Sequence, residues 1–526
     1  MGLQLLTDRH SEQIAGTLSC YDRVLIQGTL PGLCYAEGMT GYLYAHHVRI
    51  FDYAQWAQPL RETLRENAER LAAENGLEIE FIRRPKSFRK EDKIHQVLKE
   101  RGDHPGLVWI FSVMEPCSTY QPWHDKAMGK TYLRPDDSKC LHYYFYYFID
   151  EELGLCYVRV PTWCPFRLQI YLNGHHRLAY RLERKQIDHT RIDNAFVEIA
   201  DFERAQKIAD DWPVEKLHRK LDEWAERYCP VILQFEVRYH WSLDQVEFST
   251  DLLFHRREDL QAIYGYLTRT AIHTVKPDNI ATFLGHKLSP LYQGEMGNRF
   301  NTRIEGTRIK HTMGPVSVKM YDKFGLILRI EVTVNNVSFF QHYRTVEQRD
   351  GRTVTKWAPM KKSIYSLPAL REALDAVNRR YLEFLSTLDD PTAGIDRLQK
   401  ASEPARENDQ SYPGLNFFSA EDQTLIKALA RGEFNLWGLQ NKTLRTHLDE
   451  KTSGQVSRLL KRLRLHGLIK KVGHTYRYYL TVFGKQVIAS GLKLKNLVPS
   501  PNWRSPLRAE QNFLPNLVRI CFHRYE

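Results

Sequence analysis

The chain has 526 residues, 42% hydrophobic and 26% charged, and its 75 Lys and Arg against 63 Asp and Glu leave a net charge of +12. This is the balance of a soluble globular protein of about three domains, and the positive excess favours a polyanionic partner, nucleic acid first. No apolar stretch reaches the length of a membrane span, so no membrane is expected and the chain reads as cytoplasmic; its eight cysteines are scattered, with no Cys-x-x-Cys pair, which disfavours a zinc ribbon or a disulfide framework.

Residues 1–230 mix α and β patterns and read as an N-terminal α/β domain of unassigned role. Strands are expected at 23–27 and 107–112, and a helix over 60–75, where Leu60, Leu64, Ala68, Leu71 and Ala72 recur at helical spacing before Gly76. The polar segment 115–137 reads as a long loop, and 140–160 as a hairpin turned at 151–154. Its aromatic run from Tyr143 to Phe148 suits a strand buried on both faces. Helices are expected after Pro165 as far as 185 and again over 207–228. The pairs His46-His47 and His175-His176 are not expected to bind metal, because adjacent side chains point in different directions.

Residues 231–390 read as an α+β domain with an antiparallel sheet: strands over 232–254, a helix over 258–274, a three-stranded meander over 301–335, a hairpin near 349–352 and a helix over 367–388. In the meander Val316, Val318 and Met320 alternate with Ser317, Lys319 and Tyr321, and Leu328, Ile330 and Val332 alternate with Arg329, Glu331 and Thr333. Side chains on a strand change faces with period two, so Glu305, Lys319, Tyr321, Arg329 and Glu331 are expected on one polar face. The strand VEFSTD adds Glu247 and Asp251, roughly 13 Å apart by ordinary strand rise. Such carboxylates suit a hard cation, Mg2+ or Mn2+.

Taken together, VEFSTD, the GTR strand, KMYDK and LRIEV resemble the core of rolling-circle replication initiators, the trans-acting plasmid type and the filamentous-phage nickases, over about residues 240–340. The resemblance implies an endonuclease of a plasmid, phage or mobile element in which Tyr321 attacks a DNA phosphate, leaving a phosphotyrosine and a free 3′-hydroxyl. It implies that Lys319 is the basic residue beside the nucleophile and that Glu247, Asp251 and Glu331 are metal ligands; on physical grounds, a cation such as Lys319 or Arg329 is expected to add charge stabilisation to phosphoryl transfer. The chain departs from the pattern at Lys319, where arginine is usual, and at Glu247, where aspartate is usual. Lysine keeps the charge and loses the bidentate fork.

Residues 391–416 lose apolar periodicity and read as a linker. Over 417–495 a helix, helix, helix, hairpin, helix order resembles a winged helix-turn-helix of the MarR-like type; 496–526 reads as irregular. Thr452 is suited to cap the third helix, whose Val456, Leu459, Leu460 and Leu463 form an apolar stripe. Gln455, Ser457, Arg458, Lys461, Arg462 and Arg464 fall outside that stripe, and Lys470, Lys471 and Arg477 lie in the hairpin. Between 452 and 495 there are ten Lys or Arg and no Asp or Glu, so this surface is expected to hold DNA, with RNA as the alternative partner. The alternative function is a non-catalytic transcriptional regulator or RNA-binding protein in which the central sheet is a binding platform.

Overall fold

The computed structural model describes residues 5–497 apart from 84–86, 289–291, 293, 304–305, 349, 389–394, 409, 449–450 and 474. Glu305 and the segment from 498 onward lie outside the described residues. The fold is mixed α/β and divides into two compact units, one formed by Ile14–His255 with Gly314–Asn378, the other by Met1–Gln13, Arg256–Met313 and Arg379–Glu526. No helix among the described residues is long and apolar enough to cross a membrane.

The first unit is built on nine successive strands of one sheet, in the order Val316–Lys323, Ile327–Val334, His240–Phe254, Ile14–Thr29, Leu168–Leu172, Gly154–Pro161, Lys130–Asp150, Gly106–Asp125 and Ile79–Ile82. All neighbours are antiparallel except the last pair, which is parallel. The boundary expected at residue 230 falls inside this sheet. Ile14–Thr29 pairs with His240–Phe254 from Ile14 opposite Phe254 to Thr29 opposite His240. Partners so far apart in the chain leave no local sign of belonging together.

Local patterning decides most of the remaining elements. The aromatic strand is buried on both faces: Phe148 packs on Trp224 and Tyr228 at ring-centroid distances of 4.9 and 5.2 Å, while Phe145 and Tyr147 join the opposite cluster with Ile94 and Phe111. Segment 115–137 is no loop but the outer half of the hairpin Gly106–Asp125 with Lys130–Asp150, whose turn is closed by Asp125 Oδ1 accepting from the N–H groups of Ala127 and Met128. Only Thr119, Tyr120, Leu133 and Asp136 of this segment are buried, so no regular apolar alternation marks its strands and they read as polar coil.

The helix expected after Pro165 begins only at Gly174, because Leu168, Ile170 and Leu172 alternate inward and form a strand first. The expected 207–228 helix is two, Phe202–Asp210 and Val214–Tyr228, broken at 211–213 where Pro213 can supply no N–H and disfavours helix in the residue before it.

In the second unit, helices Arg257–Thr274 and Pro277–Phe283 accompany the hairpin Met296–Arg303 with Gly306–Met313. The interval expected to be a linker carries helix Ile395–Ser402 and a hairpin, Ala405–Glu407 with Gln410–Tyr412. Ala401, Leu415 and Phe417 join one core with Leu425, Leu429, Val456, Leu460, Leu463 and Val487. A few apolar anchors among many polar residues hide a segment that is tied down.

Candidate functional site

The polar face of the first unit's sheet follows directly from register. Lys319 faces Glu331 and Tyr321 faces Arg329 across one strand pair; Arg329 faces Asp251, Glu331 faces Ser249 and Thr333 faces Glu247 across the next. Six of the seven residues singled out in the meander and in VEFSTD therefore meet on one face; the seventh, Glu305, lies outside the described residues. The opposite face is apolar, with Val316, Val318, Met320, Ile330, Val332, Val246, Phe248 and Leu252 buried. There Asn378 donates to Thr250 Oγ1 at 3.0 Å and lies near the carbonyls of Phe248 and Ile330.

Arg329 is the centre of the polar face and is 0% exposed. Its Nε and Nη2 donate to the two oxygens of Asp251, each at 2.6 Å, and Nη2 also donates to the Asn194 carbonyl at 2.7 Å. Nη1 lies 3.7 Å from Asp22 Oδ2. Burial alone would lower the guanidinium pKa, but the Asp251 charge, reinforced by Tyr321 and Asp22, holds it well above the ordinary value.

Three further residues complete this pair. Asn194 Nδ2 donates to both oxygens of Asp22, at 2.6 and 2.8 Å. His175, at the start of helix Gly174–Arg184, sets Nδ1 3.2 Å from Asp22 Oδ1 and Nε2 3.4 Å from Arg329 Nη2. Burial would raise the Asp22 carboxyl, yet the His175 ring, the Arg329 charge and the Asn194 amide together hold it well below the carboxylate range. Lys323 reaches Asn194 Oδ1 and lies 3.3 Å from Asp193; burial and the Arg329 charge lower its pKa.

The second half of the face surrounds Glu331. Tyr321 donates its hydroxyl to Glu331 Oε2 at 2.6 Å, and Lys319 Nζ lies 2.5 Å from Glu331 Oε1 and 3.6 Å from Glu247 Oε1. Burial first, then the Glu331 charge, push the Tyr321 phenol well above its ordinary range. Burial and Glu331 likewise raise Glu247, against the opposing charges of Lys319 and Arg23.

A divalent ion does not fit these carboxylates as they stand. Asp251 is held by the Arg329 fork, Glu331 by Lys319 and Tyr321, and Glu247 by Lys319 and the Thr333 hydroxyl. Among the described residues, no three His, Cys, Asp or Glu form a group that could hold a metal. The negative charge of this face is balanced from within.

In the C-terminal part of the second unit, Thr452 caps Ser453–Leu465: its Oγ1 accepts from Gln455 N–H, and Gln455 Oε1 accepts from Thr452 N–H at 2.7 Å. Gln455, Ser457 and Arg458 are exposed. Three other residues of this helix turn inward on their own unit. Arg462 forks onto Asp422 at 2.7 and 2.8 Å and donates to the carbonyls of Pro413 and Gly414. Lys461 and Arg464 both pair with Glu407, at 3.0 and 3.2 Å.

The hairpin Ile469–Lys471 with Tyr478–Leu480 leaves Lys470, Lys471 and Arg477 exposed. Lys471 Nζ sits 5.6 Å over the ring of Tyr476, which is 81% exposed. Lys442 and Arg445, exposed on helix Asn441–Arg445, add two cations that the sequence reading did not select. Their signal was there, since both lie on the polar side of the helix that precedes the capped one.

Comparison with protein-family models, with curated proteins and with solved structures returned no match.

Proposed function

We propose that the chain is a DNA-binding protein whose C-terminal helices and hairpin act as a winged helix-turn-helix of the MarR-like type. Helix Ser453–Leu465 would enter the major groove through Gln455, Ser457 and Arg458, while Lys470, Lys471 and Arg477 lie along the backbone. The observation that carries this reading is the sorting of the basic residues. Lys461, Arg462 and Arg464 are spent on Glu407 and Asp422, whereas Arg458, Lys442, Arg445, Lys470 and Lys471 have no carboxylate partner among the described residues. A stretch with no Asp or Glu from 452 to 495 keeps that surface positive.

The test is binding of the full chain to a labelled duplex at several salt concentrations, with Arg458→Ala beside the parent. A duplex bound no more tightly than a neutral polymer would end the proposal.

A second reading, cleavage of a DNA strand at Tyr321, is favoured by one observation: the phenol already donates to Glu331, with Lys319 beside the same carboxylate. In such a step Glu331 takes the phenol proton, the phenol oxygen bonds to phosphorus as the bond from phosphorus to the 3′ oxygen breaks, and the departing 3′ oxygen takes a proton from solvent water. Burial works against it by holding the phenol in its neutral form. A phosphotyrosine adduct formed by the parent and lost in Tyr321→Phe would support this reading; its absence on supercoiled and single-stranded DNA, with and without Mn2+, would remove it.

A further inference from the structure

Helices Gly174–Arg184 and Val214–Tyr228 of the first unit flank a recess of about 310 Å³ that neither the sheet face nor the basic C-terminal surface involves. Its wall carries six cations, Arg177, Arg181, Arg184, Lys185, Lys216 and Lys220, against the carboxylates of Glu151, Glu152 and Asp211. Some of this charge is compensated. Lys216 pairs with Glu152, Lys220 with Asp150 at 2.7 Å and Arg181 with Asp211 at 2.9 Å. Arg184 and Lys185 have no partner among the described residues and are exposed at the rim.

Arg177 lies at the bottom, 4% exposed, its guanidinium 4.7 Å over the Trp212 ring. Among the described residues it is bonded only to neutral acceptors, the carbonyls of Ile208 and Asp211. A buried guanidinium bonded to no carboxylate is costly, and here a second cation, Arg181, lies nearby, only partly offset by the charges of Asp211 and Glu152. Burial first and the Arg181 charge second bring Arg177 down to about 10. An anion in the recess would relieve both.

We infer that this recess binds a small phosphorylated anion, with Arg184 and Lys185 closing on its phosphate groups above Arg177. The volume is at the lower end of small-molecule sites, enough for a pyrophosphate or a compact nucleotide, while a concave pocket of this size excludes a duplex. Planar guanidinium groups supply the paired donors that phosphate oxygens accept.

The experiment is calorimetric titration of the full chain with pyrophosphate and with a nucleoside triphosphate, repeated on Arg184→Ala/Lys185→Ala, whose side chains are exposed and make no ion pair among the described residues. Saturable one-to-one binding is expected, weakened at least tenfold in the double variant, with duplex binding at the C-terminal surface retained. Equal affinity for both probes assigns recognition to phosphate alone; tighter binding of the nucleotide adds a contact to its base or sugar. No saturable binding of either probe at millimolar concentration, unchanged affinity in the double variant, or loss of single-stranded oligonucleotide binding with neither small anion bound would overturn the inference.

Discussion

Arg329 and Asp251 face each other across two antiparallel strands and meet fork to fork, both bonds 2.6 Å long and both side chains buried. The pair ties strand Ile327–Val334 to His240–Phe254 from the side, in addition to their backbone ladder. Its charge is shared outward with Asp22 and, through Asp22, with Asn194 and His175.

Breaking that pair from one side leaves a buried charge without compensation. Arg329→Met is expected to cost about 3–5 kcal/mol, as is typical when one partner of a buried pair is removed. Arg329→Met with Asp251→Leu should cost less than the two single changes together. Urea unfolding of the four proteins measures the coupling, and strict additivity would show that the two residues do not act as a unit.

Tyr321→Phe removes one hydrogen bond to a carboxylate that keeps Lys319 as its partner. The expected loss is roughly 1.5–3 kcal/mol of stability, the ordinary range for a bond to a charged group. Duplex affinity should stay within about twofold, since the proposed DNA surface uses other residues. A large loss of affinity in a variant that remains folded would connect the sheet face to DNA.

Residues that alternate along a single strand were legible in the sequence: Lys319, Tyr321, Arg329, Glu331, Glu247 and Asp251 share a face as period two requires. Helix Leu367–Leu388 and the capped helix Ser453–Leu465 were legible for the same local reason. What was hidden is who sits across. Asp22, His175 and Asn194 come from a strand, a helix and a turn far from the meander, and only the folded sheet brings them to Arg329. The partners of Lys461, Arg462 and Arg464 were hidden likewise, because helical spacing marks a polar face without showing that Glu407 and Asp422 cover part of it.

Arg462 and Arg458 are four residues apart on one helix and are expected to behave oppositely. Arg462→Ala removes a fork onto Asp422, a carboxylate only 5% exposed, together with two carbonyl bonds, and should destabilise the C-terminal part by about 2–4 kcal/mol. Arg458→Ala should leave thermal stability unchanged and weaken DNA binding. Denaturation and binding measured on both variants separate the roles, and the reverse assignment would contradict the geometry.

His311 gives the second unit a dependence on pH. It is 1% exposed, with Nδ1 2.7 Å from Asn298 Oδ1 and Nε2 3.0 Å from the Tyr381 hydroxyl, and burial lowers its pKa to about 4. Between that value and the unfolded pKa of about 6.5 the unfolded chain binds the extra proton, so stability is full above pH 6.5 and falls as pH drops toward 4, by roughly 3 kcal/mol in all. Urea unfolding of the parent at pH 7 and pH 5 should show the loss, and His311→Gln, which cannot titrate, should reduce it. An identical slope in the two proteins would place the titration elsewhere.

The most direct test of the account is the salt dependence of duplex binding by the parent and by Arg458→Ala/Lys470→Ala/Lys471→Ala. If Lys470 and Lys471 lie on DNA phosphates and Arg458 in the major groove, the variant loses at least tenfold in affinity at low salt, and the slope of log affinity against log salt becomes shallower by about 2, as expected for two lost phosphate contacts. Unchanged affinity and slope in a folded variant would contradict a DNA-binding role for this surface.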